Sequence, residues 1–178
     1  MTVSSVRKKD FTTILDIVHM MNDDQSEVEA LRGALVQLGT LMSCESIYYI
    51  GVEHTTGRML GNVVNTAGTD ISQLPGFHTA FRQHPGFAAY RRGQLVPGSS
   101  AALTDLVDLP TLRRLAFYTD FQRPYDGDDQ LLCIASVGNQ RGTVLVFNHA
   151  RLGFSGRSRA IADLVTPHLA QAVCVGDA

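Results

Sequence analysis

Three aromatic residues follow one another at spacings of three and four in the stretch AFYTDFQRPYDGDDQLLCIAS, residues 116–136: Tyr118, Phe121 and Tyr125. On a helical turn these spacings place all three rings on one side. One interpretation is that the rings cap a core between a crossover and a sheet, because aromatic residues dominate protein cores. The other is that they line an apolar ligand cavity to which the tyrosine hydroxyls bring hydrogen bonds.

A histidine beside a proline is the second candidate for chemistry. His84 precedes Pro85, which biases its backbone away from helix, and Tyr90 follows six positions later. The imidazole either hydrogen-bonds a ligand or holds a backbone turn, since its nitrogens serve as donor and acceptor. His78 lies six positions before His84, which is not the i, i+4 spacing of a helical metal site. We predict no metal site.

The sequence contains no motif typical of a catalytic nucleophile or of a cofactor-binding loop. The sequence contains no G-x-S-x-G elbow and no glycine-rich phosphate loop. Cys133 alternates with Leu132 and Ile134 in an apolar run, where a small buried side chain is its simplest role. The acidic residues 126, 128 and 129 lack the remaining ligands of a calcium loop and indicate a turn. We therefore predict no catalytic residue and no cofactor.

Size and composition narrow the class of protein. With 178 residues the chain is predicted to form a single domain, 1–178. Fifteen Lys plus Arg against seventeen Asp plus Glu leave no basic excess for a phosphate backbone, so we expect no direct binding of nucleic acid. No stretch approaches the roughly 20 apolar residues of a membrane span. Three widely spaced cysteines argue against a disulfide framework and favour a cytoplasmic location.

The elements that must position these residues follow from periodicity. Helical spacing predicts helices over about 10–22 and 26–42, with Asp10 and Ser26 as caps. SIYYIGVEH and MLGNVVN predict one hairpin, and DQLLCIASV and RGTVLVFNHA a second. Between them, prolines divide residues 66–128 into short helical pieces, and a closing helix is predicted over about 155–174. The sheet and crossover thus occupy about 45–149.

This order predicts an α+β fold. Because no βαβ repetition occurs, the natural packing is a central antiparallel sheet. We expect the N- and C-terminal helices on one face of the sheet and the irregular helical crossover on the other.

Three segments carry a resemblance to a known family: HPGF at 84–87, YTDFQRPYD at 118–126 and GFSGRSRAIADLVTPHLAQAV at 153–173. Together with the element order, they resemble the GAF-like ligand-sensing domain of bacterial LuxR-type transcriptional regulators. The resemblance implies a small, largely apolar metabolite held between sheet and crossover. For such a ligand we predict the following binding residues: Tyr48, Tyr49, His84, Tyr90, Tyr118, Phe121, Tyr125 and Cys133.

Two other functions stay open beside the sensor. The first is an enzyme of the same fold acting on a small apolar metabolite, with His84, Tyr118 or Cys133 at the pocket. The second is an interaction module whose core is filled and holds no cavity. In the family, a DNA-binding helix-turn-helix of about 60 residues follows the helix that contains PHL, and the sequence here ends at Ala178.

The first helix is more apolar than one sheet face requires. Its apolar residues cover more than a single stripe, and soluble proteins tend to bury such an excess in an interface. We therefore predict a homodimer joined by the terminal helices. The apolar residues concerned are Phe11, Ile14, Leu15, Ile17, Val18, Met20 and Met21.

Overall fold

The computed structural model describes residues 6–21, 27–53, 55–56, 58–64, 71–137 and 141–174. Its helices are α1 Lys8–Met21, α2 Glu27–Met42, α3 Phe77–Phe81, α4 Pro85–Arg91, α5 Leu103–Leu106, α6 Leu109–Leu112 and α7 Gly156–Cys174. Its strands are β1 Ser46–Glu53, β2 Met59–Val64, β3 Ser100–Ala102, β4 Asp129–Val137 and β5 Arg141–His149. A 3₁₀ turn, Ile71–Gln73, precedes α3, and a π-helix, Phe117–Asp126, precedes β4.

The strands form one antiparallel sheet in the order β2-β1-β5-β4-β3. Both predicted hairpins are present, as β1–β2 and β4–β5. The short edge strand β3, which pairs with β4, was not predicted because three residues are too few for a period-2 pattern. The α+β prediction is confirmed.

Each face of the sheet carries its own core, because successive strand residues point to opposite faces. On the helix face, α1, α2 and α7 pack over odd-numbered strand residues such as Ile47, Leu131 and Phe147. On the crossover face, the segment from the 3₁₀ turn to the π-helix packs over Tyr48, Leu132 and other even-numbered strand residues. The predicted arrangement of helices and crossover on opposite faces is confirmed.

Local sequence explains how the crossover helices start. His84 and Asp108 stand at the N-cap of α4 and α6, each with a proline just after it in the first turn. The Asp108 carboxylate accepts a hydrogen bond from the backbone N–H of Thr111 at 2.8 Å, which is the usual bond of a capping aspartate.

The start of α1 differs from the prediction. The helix begins at Lys8, and Asp10 lies inside its first turn, where the carboxylate accepts a hydrogen bond from the backbone N–H of Arg7 at 2.9 Å. Asp10 also pairs with Arg157 of α7, a partner 147 positions away that no local pattern indicates. Ser26, the predicted cap of α2, lies outside the described residues. None of the helices in the described part of the chain is long and apolar enough to cross a bilayer.

Candidate ligand-binding site

The crossover face of the sheet presents two rows of apolar side chains. Ile50, Val144 and Ile134 stand side by side on β1, β5 and β4, because Ile50 pairs with Val144 and Val144 with Ile134. The adjacent row is formed in the same way by Tyr48, Val146 and Leu132. These rows form the floor of the candidate site.

A cavity of about 60 Å³ lies over this floor. The 81–95 segment, which contains α4, supplies its roof, and nearly all of its lining is carbon. The lining residues are Ile50, Val52, Phe81, His84, Gly86, Phe87, Tyr90, Leu95, Leu132, Ile134, Gly142, Val144 and Val146.

A second cavity of about 20 Å³ adjoins the first. The two share Ile50, Phe81, His84 and Val146 as lining residues, so Phe81 and His84 contribute to the walls of both. The further lining of the second cavity is Tyr48, Met59, Ile71, Ser72, Phe77, Phe117 and Gln130.

His84 is held from both sides of its ring. Its Nδ1 accepts a hydrogen bond from the backbone N–H of Gly86 at 3.0 Å, which caps α4, and its Nε2 lies 2.8 Å from Oε1 of Gln130. The ring of Phe117 stands edge-on at 4.5 Å between centroids. Burial lowers the pKa of His84 to about 4, against the smaller opposing effect of the Gln130 hydrogen bond. The interpretation of His84 as a residue that holds a backbone turn is confirmed.

Three of the eight predicted ligand-binding residues line a cavity. His84 borders both cavities, Tyr90 the first and Tyr48 the second. Tyr48 of β1 belongs to the floor, whereas His84 and Tyr90 belong to the segment that supplies the roof, so residues far apart in sequence line the same site.

Tyr49 and Cys133 lie on the opposite face of the sheet. Both are buried in the core beneath α1, α2 and α7. The reason is strand alternation: Tyr49 is adjacent to the floor residues Tyr48 and Ile50, as Cys133 is to Leu132 and Ile134. Burial also raises the pKa of the Cys133 thiol to about 12, so this cysteine is no reactive thiolate at neutral pH. A ligand in either cavity lies across the sheet from both residues.

The aromatic segment, Phe117–Asp126, forms a π-helix, in which i→i+5 hydrogen bonds replace those of an α-helix. Spacings of three and four therefore do not keep its rings on one side. Tyr118 and Phe121 are buried in the crossover-face core, whereas Tyr125 is 49% exposed. None of the three belongs to the lining of either cavity. The segment acts as a cap on the core, the first of its two interpretations.

The residues that sequence reasoning missed are the aliphatic floor and a glycine. The floor has a sequence signal, because its residues are the even-numbered members of strands whose odd-numbered members form the helix-face core. Gly86 lies in the HPGF segment, but that segment does not reveal its role: a Cβ there would lie 2.2 Å from Cδ1 of Leu132, so only glycine lets α4 approach β4 this closely.

Few of the described residues that line the two cavities carry a titratable side chain. Among the described residues that line the two cavities, the titratable side chains are His84, Tyr48 and Tyr90. In the part of the chain that the structure describes, no group of three or more His, Cys, Asp or Glu is placed to hold a metal ion.

Two solved structures share this architecture. The VqsR LBD domain from Pseudomonas aeruginosa superposes with a TM-score of 0.66 at 13% identity, covering 95% of this chain and 98% of that chain. The GAF domain from Acinetobacter phosphoenolpyruvate-protein phosphotransferase gives a TM-score of 0.57 at 12% identity, covering 97% and 96%. No protein-family model and no curated protein matches the chain. Over nearly its whole length, the chain therefore has the GAF-like fold that its sequence resemblance implies.

Proposed function

We propose that this chain is a sensor domain that binds a small, uncharged and largely apolar molecule between the sheet and α3–α4. The observation that carries the proposal is the pair of adjoining cavities over the apolar floor. A well-packed core leaves few voids larger than a water molecule. Here the voids adjoin one another on the face where the resemblance implies a ligand.

The size of the cavities bears on the ligand. A cavity of about 150 Å³ accepts benzene, and the first cavity here measures about 60 Å³. A ligand with a ring therefore needs both cavities, together with a shift of the side chain between them. Phe81 borders both and is only half-buried, so it is the side chain best able to move.

We further propose that the domain serves a bacterial transcriptional regulator. The support is the fold shared with the VqsR LBD domain, together with the sequence resemblance to the GAF-like sensing domain of LuxR-type regulators. In that role residues 1–178 would sense the molecule, and a helix-turn-helix outside these residues would read the DNA. The reading frame downstream of residue 178 tests this part of the proposal, because a sensor of this type precedes its DNA-binding domain.

The enzyme alternative gains no support from His84. A general base needs a free lone pair within reach of the substrate. In His84, Nδ1 is occupied by the N–H of Gly86 and Nε2 faces Gln130.

Binding of toluene, observed through the methyl NMR signals of the floor residues, tests the site. We expect toluene to shift the signals of Val146, Leu132 and Ile134. Val144→Phe places a ring in the first cavity and should abolish these shifts, whereas Val96→Phe, the same change at an exposed valine outside both linings, should preserve them. Shifts that persist in Val144→Phe, or toluene signals only elsewhere in the protein, would contradict the site. Mass spectrometry of molecules released by denaturing the purified protein would identify a natural ligand.

A further inference from the structure

The crossover face changes from apolar to polar one row beyond the cavity floor. Ser46, Asn148 and Gln130 stand side by side on β1, β5 and β4, in the register that follows the Tyr48 row. All three are buried, and so is Gln122 of the π-helix. Burying polar side chains is unfavourable unless they hydrogen-bond to one another or to the backbone. A row of this kind in a core requires an explanation.

These four side chains continue a hydrogen-bonded chain that begins at His84. The imidazole donates from Nε2 to Oε1 of Gln130, and the Gln130 amide donates in turn to Oε1 of Gln122. The Gln122 amide lies 3.4 Å from Oδ1 of Asn148, to which it donates. The Asn148 amide donates to Oγ of Ser46 at 2.9 Å. Every link therefore runs in the same direction, away from the cavities.

One backbone group sets this direction. The N–H of Gly86 can only donate, so Nδ1 of His84 must be the acceptor and the ring proton must sit on Nε2. Nε2 then needs an acceptor, which turns Oε1 of Gln130 toward His84 and the Gln130 amide nitrogen toward Gln122. Reversing any link would place two donors or two acceptors face to face.

We propose that Gln130 is a specificity-determining residue of the ligand site: by accepting the hydrogen bond from the Nε2–H group, it leaves His84 no hydrogen-bonding atom for a ligand. The inference rests on the proposed function, since it concerns which molecules the two cavities accept. With His84 neutral and occupied, none of the described residues that line the cavities carries a positive charge. A carboxylate entering them loses its hydration without gaining a charged partner. The hydrogen-bonded series that begins at His84 thus excludes anions from the cavities and selects uncharged ligands.

The first test concerns the native protein and needs no ligand. Nitrogen-15 NMR of the imidazole should show His84 neutral at pH 7, with its proton on Nε2. A proton on Nδ1, or a charged imidazolium at that pH, would overturn the proposal.

The second test compares toluene with benzoate, which has nearly the same shape and carries a charge. Gln130→Met keeps the length of the side chain but removes the acceptor, so Nε2–H becomes available in the second cavity. We expect the ratio of benzoate to toluene affinity to rise about tenfold, the effect of one charge-assisted hydrogen bond. Benzoate should also raise the pKa of His84 in this variant and leave it unchanged in the native protein.

Ser46→Ala is the matched control, because it shortens the same chain at its far end and leaves the Gln130 link to His84 intact. It should leave the affinity ratio unchanged, so an equal rise in both variants would contradict a specific role for Gln130. Gln130→Glu should move the ratio the other way, since a carboxylate beside the second cavity repels benzoate. This variant provides the test if Gln130→Met does not fold. Failure of toluene to bind at the floor would reject the ligand site itself, whereas an unchanged ratio would reject only the role of Gln130.

Discussion

Arg157, in the first turn of α7, forms a two-point ion pair with Asp10 of α1. Nη2 lies 2.7 Å from Oδ1, and Nε lies 2.9 Å from Oδ2. A third contact runs from Nη1 to the carbonyl of Leu41, near the end of α2, at 3.2 Å. The side chain of Asp10 is fully buried. One guanidinium therefore joins all three helices that cover the helix face of the sheet.

We expect Asp10→Asn to lower the free energy of unfolding more than Asp105→Asn does. Both carboxylates pair with an arginine of α7, but Asp105 is 44% exposed, and exposed pairs contribute little. Urea unfolding of the two variants makes the comparison. Equal losses would show that burial of the Asp10 pair adds nothing.

The same pair predicts a pH dependence. The hydrogen bond from Arg157 lowers the pKa of Asp10 from 3.8 to about 2. The contribution of the ion pair to the free energy of unfolding is therefore complete above pH 3.8. It is lost as the pH falls toward 2, because Asp10 of the unfolded chain binds its proton at a higher pH than Asp10 of the folded protein. The stability difference between the native protein and Asp10→Asn should shrink across this window. A constant difference would contradict the assignment.

His84 predicts a second pH effect in a separate window. Its pKa of about 4 in the folded protein lies below the ordinary value of 6.5. Unfolding therefore takes up a proton between these pH values, and stability falls as the pH decreases from 6.5 to 4. Each pKa unit between the folded and the unfolded value corresponds to about 1.4 kcal/mol, so the loss of stability amounts to roughly 3 kcal/mol. In His84→Asn the side chain keeps a capping acceptor but does not titrate. The urea midpoint of this variant should therefore depend less on pH over this range than that of the native protein. Parallel curves would contradict the prediction.

The two tyrosines of the aromatic segment should respond differently to truncation. Tyr118 is 2% exposed, and its hydroxyl lies 3.3 Å from the carbonyl of Asp128. Tyr118→Ala should cost about 3–5 kcal/mol of stability through the cavity that it leaves. Tyr125→Ala, at an exposed ring, should change stability by no more than about 0.5 kcal/mol. Chemical denaturation of both variants checks the pair, and similar losses would contradict the placement of the two rings.

Gly86→Ala should both destabilise the protein and reduce toluene binding. The added methyl meets Leu132 and the His84 ring, so α4 must move away from β4, at a cost of about 1–3 kcal/mol. Gly156→Ala is the control, since a Cβ there has no neighbour within 4 Å. Thermal unfolding and toluene titration of both variants measure the effect. Unimpaired binding in Gly86→Ala would show that the close approach is dispensable.

We also propose that the chain dimerises through its terminal helices, with a second copy as the partner. Ile14 and Ile17 are buried, but Phe11 and Leu15 are 39% and 67% exposed, and Val36 of α2 is 47% exposed. Analytical ultracentrifugation at micromolar concentration should show a dimer, and Leu15→Glu plus Val36→Glu should give a monomer. These positions are better tests than Val18 or Met21, which pack against the core. A monomeric native protein would reject the proposal.

Local periodicity was sufficient for the order of the three long helices and the two hairpins, and for the two-faced sheet. Leu132, Cys133 and Ile134 show why: alternation along a strand is a property of neighbouring residues, so the sequence alone separates Cys133 from the other two. The N-cap at Asp108 follows from equally local chemistry. The sequence does not say which of the two faces is left incompletely filled, because that depends on how closely the crossover packs.

Tertiary structure decided the rest of the site. The pairing of Ser46 with Asn148 joins residues 102 positions apart, and only the strand register brings them into one row with Gln130. The π-helix likewise turned Tyr125 to the surface, against the spacing that an α-helical turn would impose. Periodicity reports only which side of an element is buried. The contacts that elements make with one another depend on strand register, on helix type and on close approaches such as that at Gly86. Packing between residues far apart in the sequence sets all three.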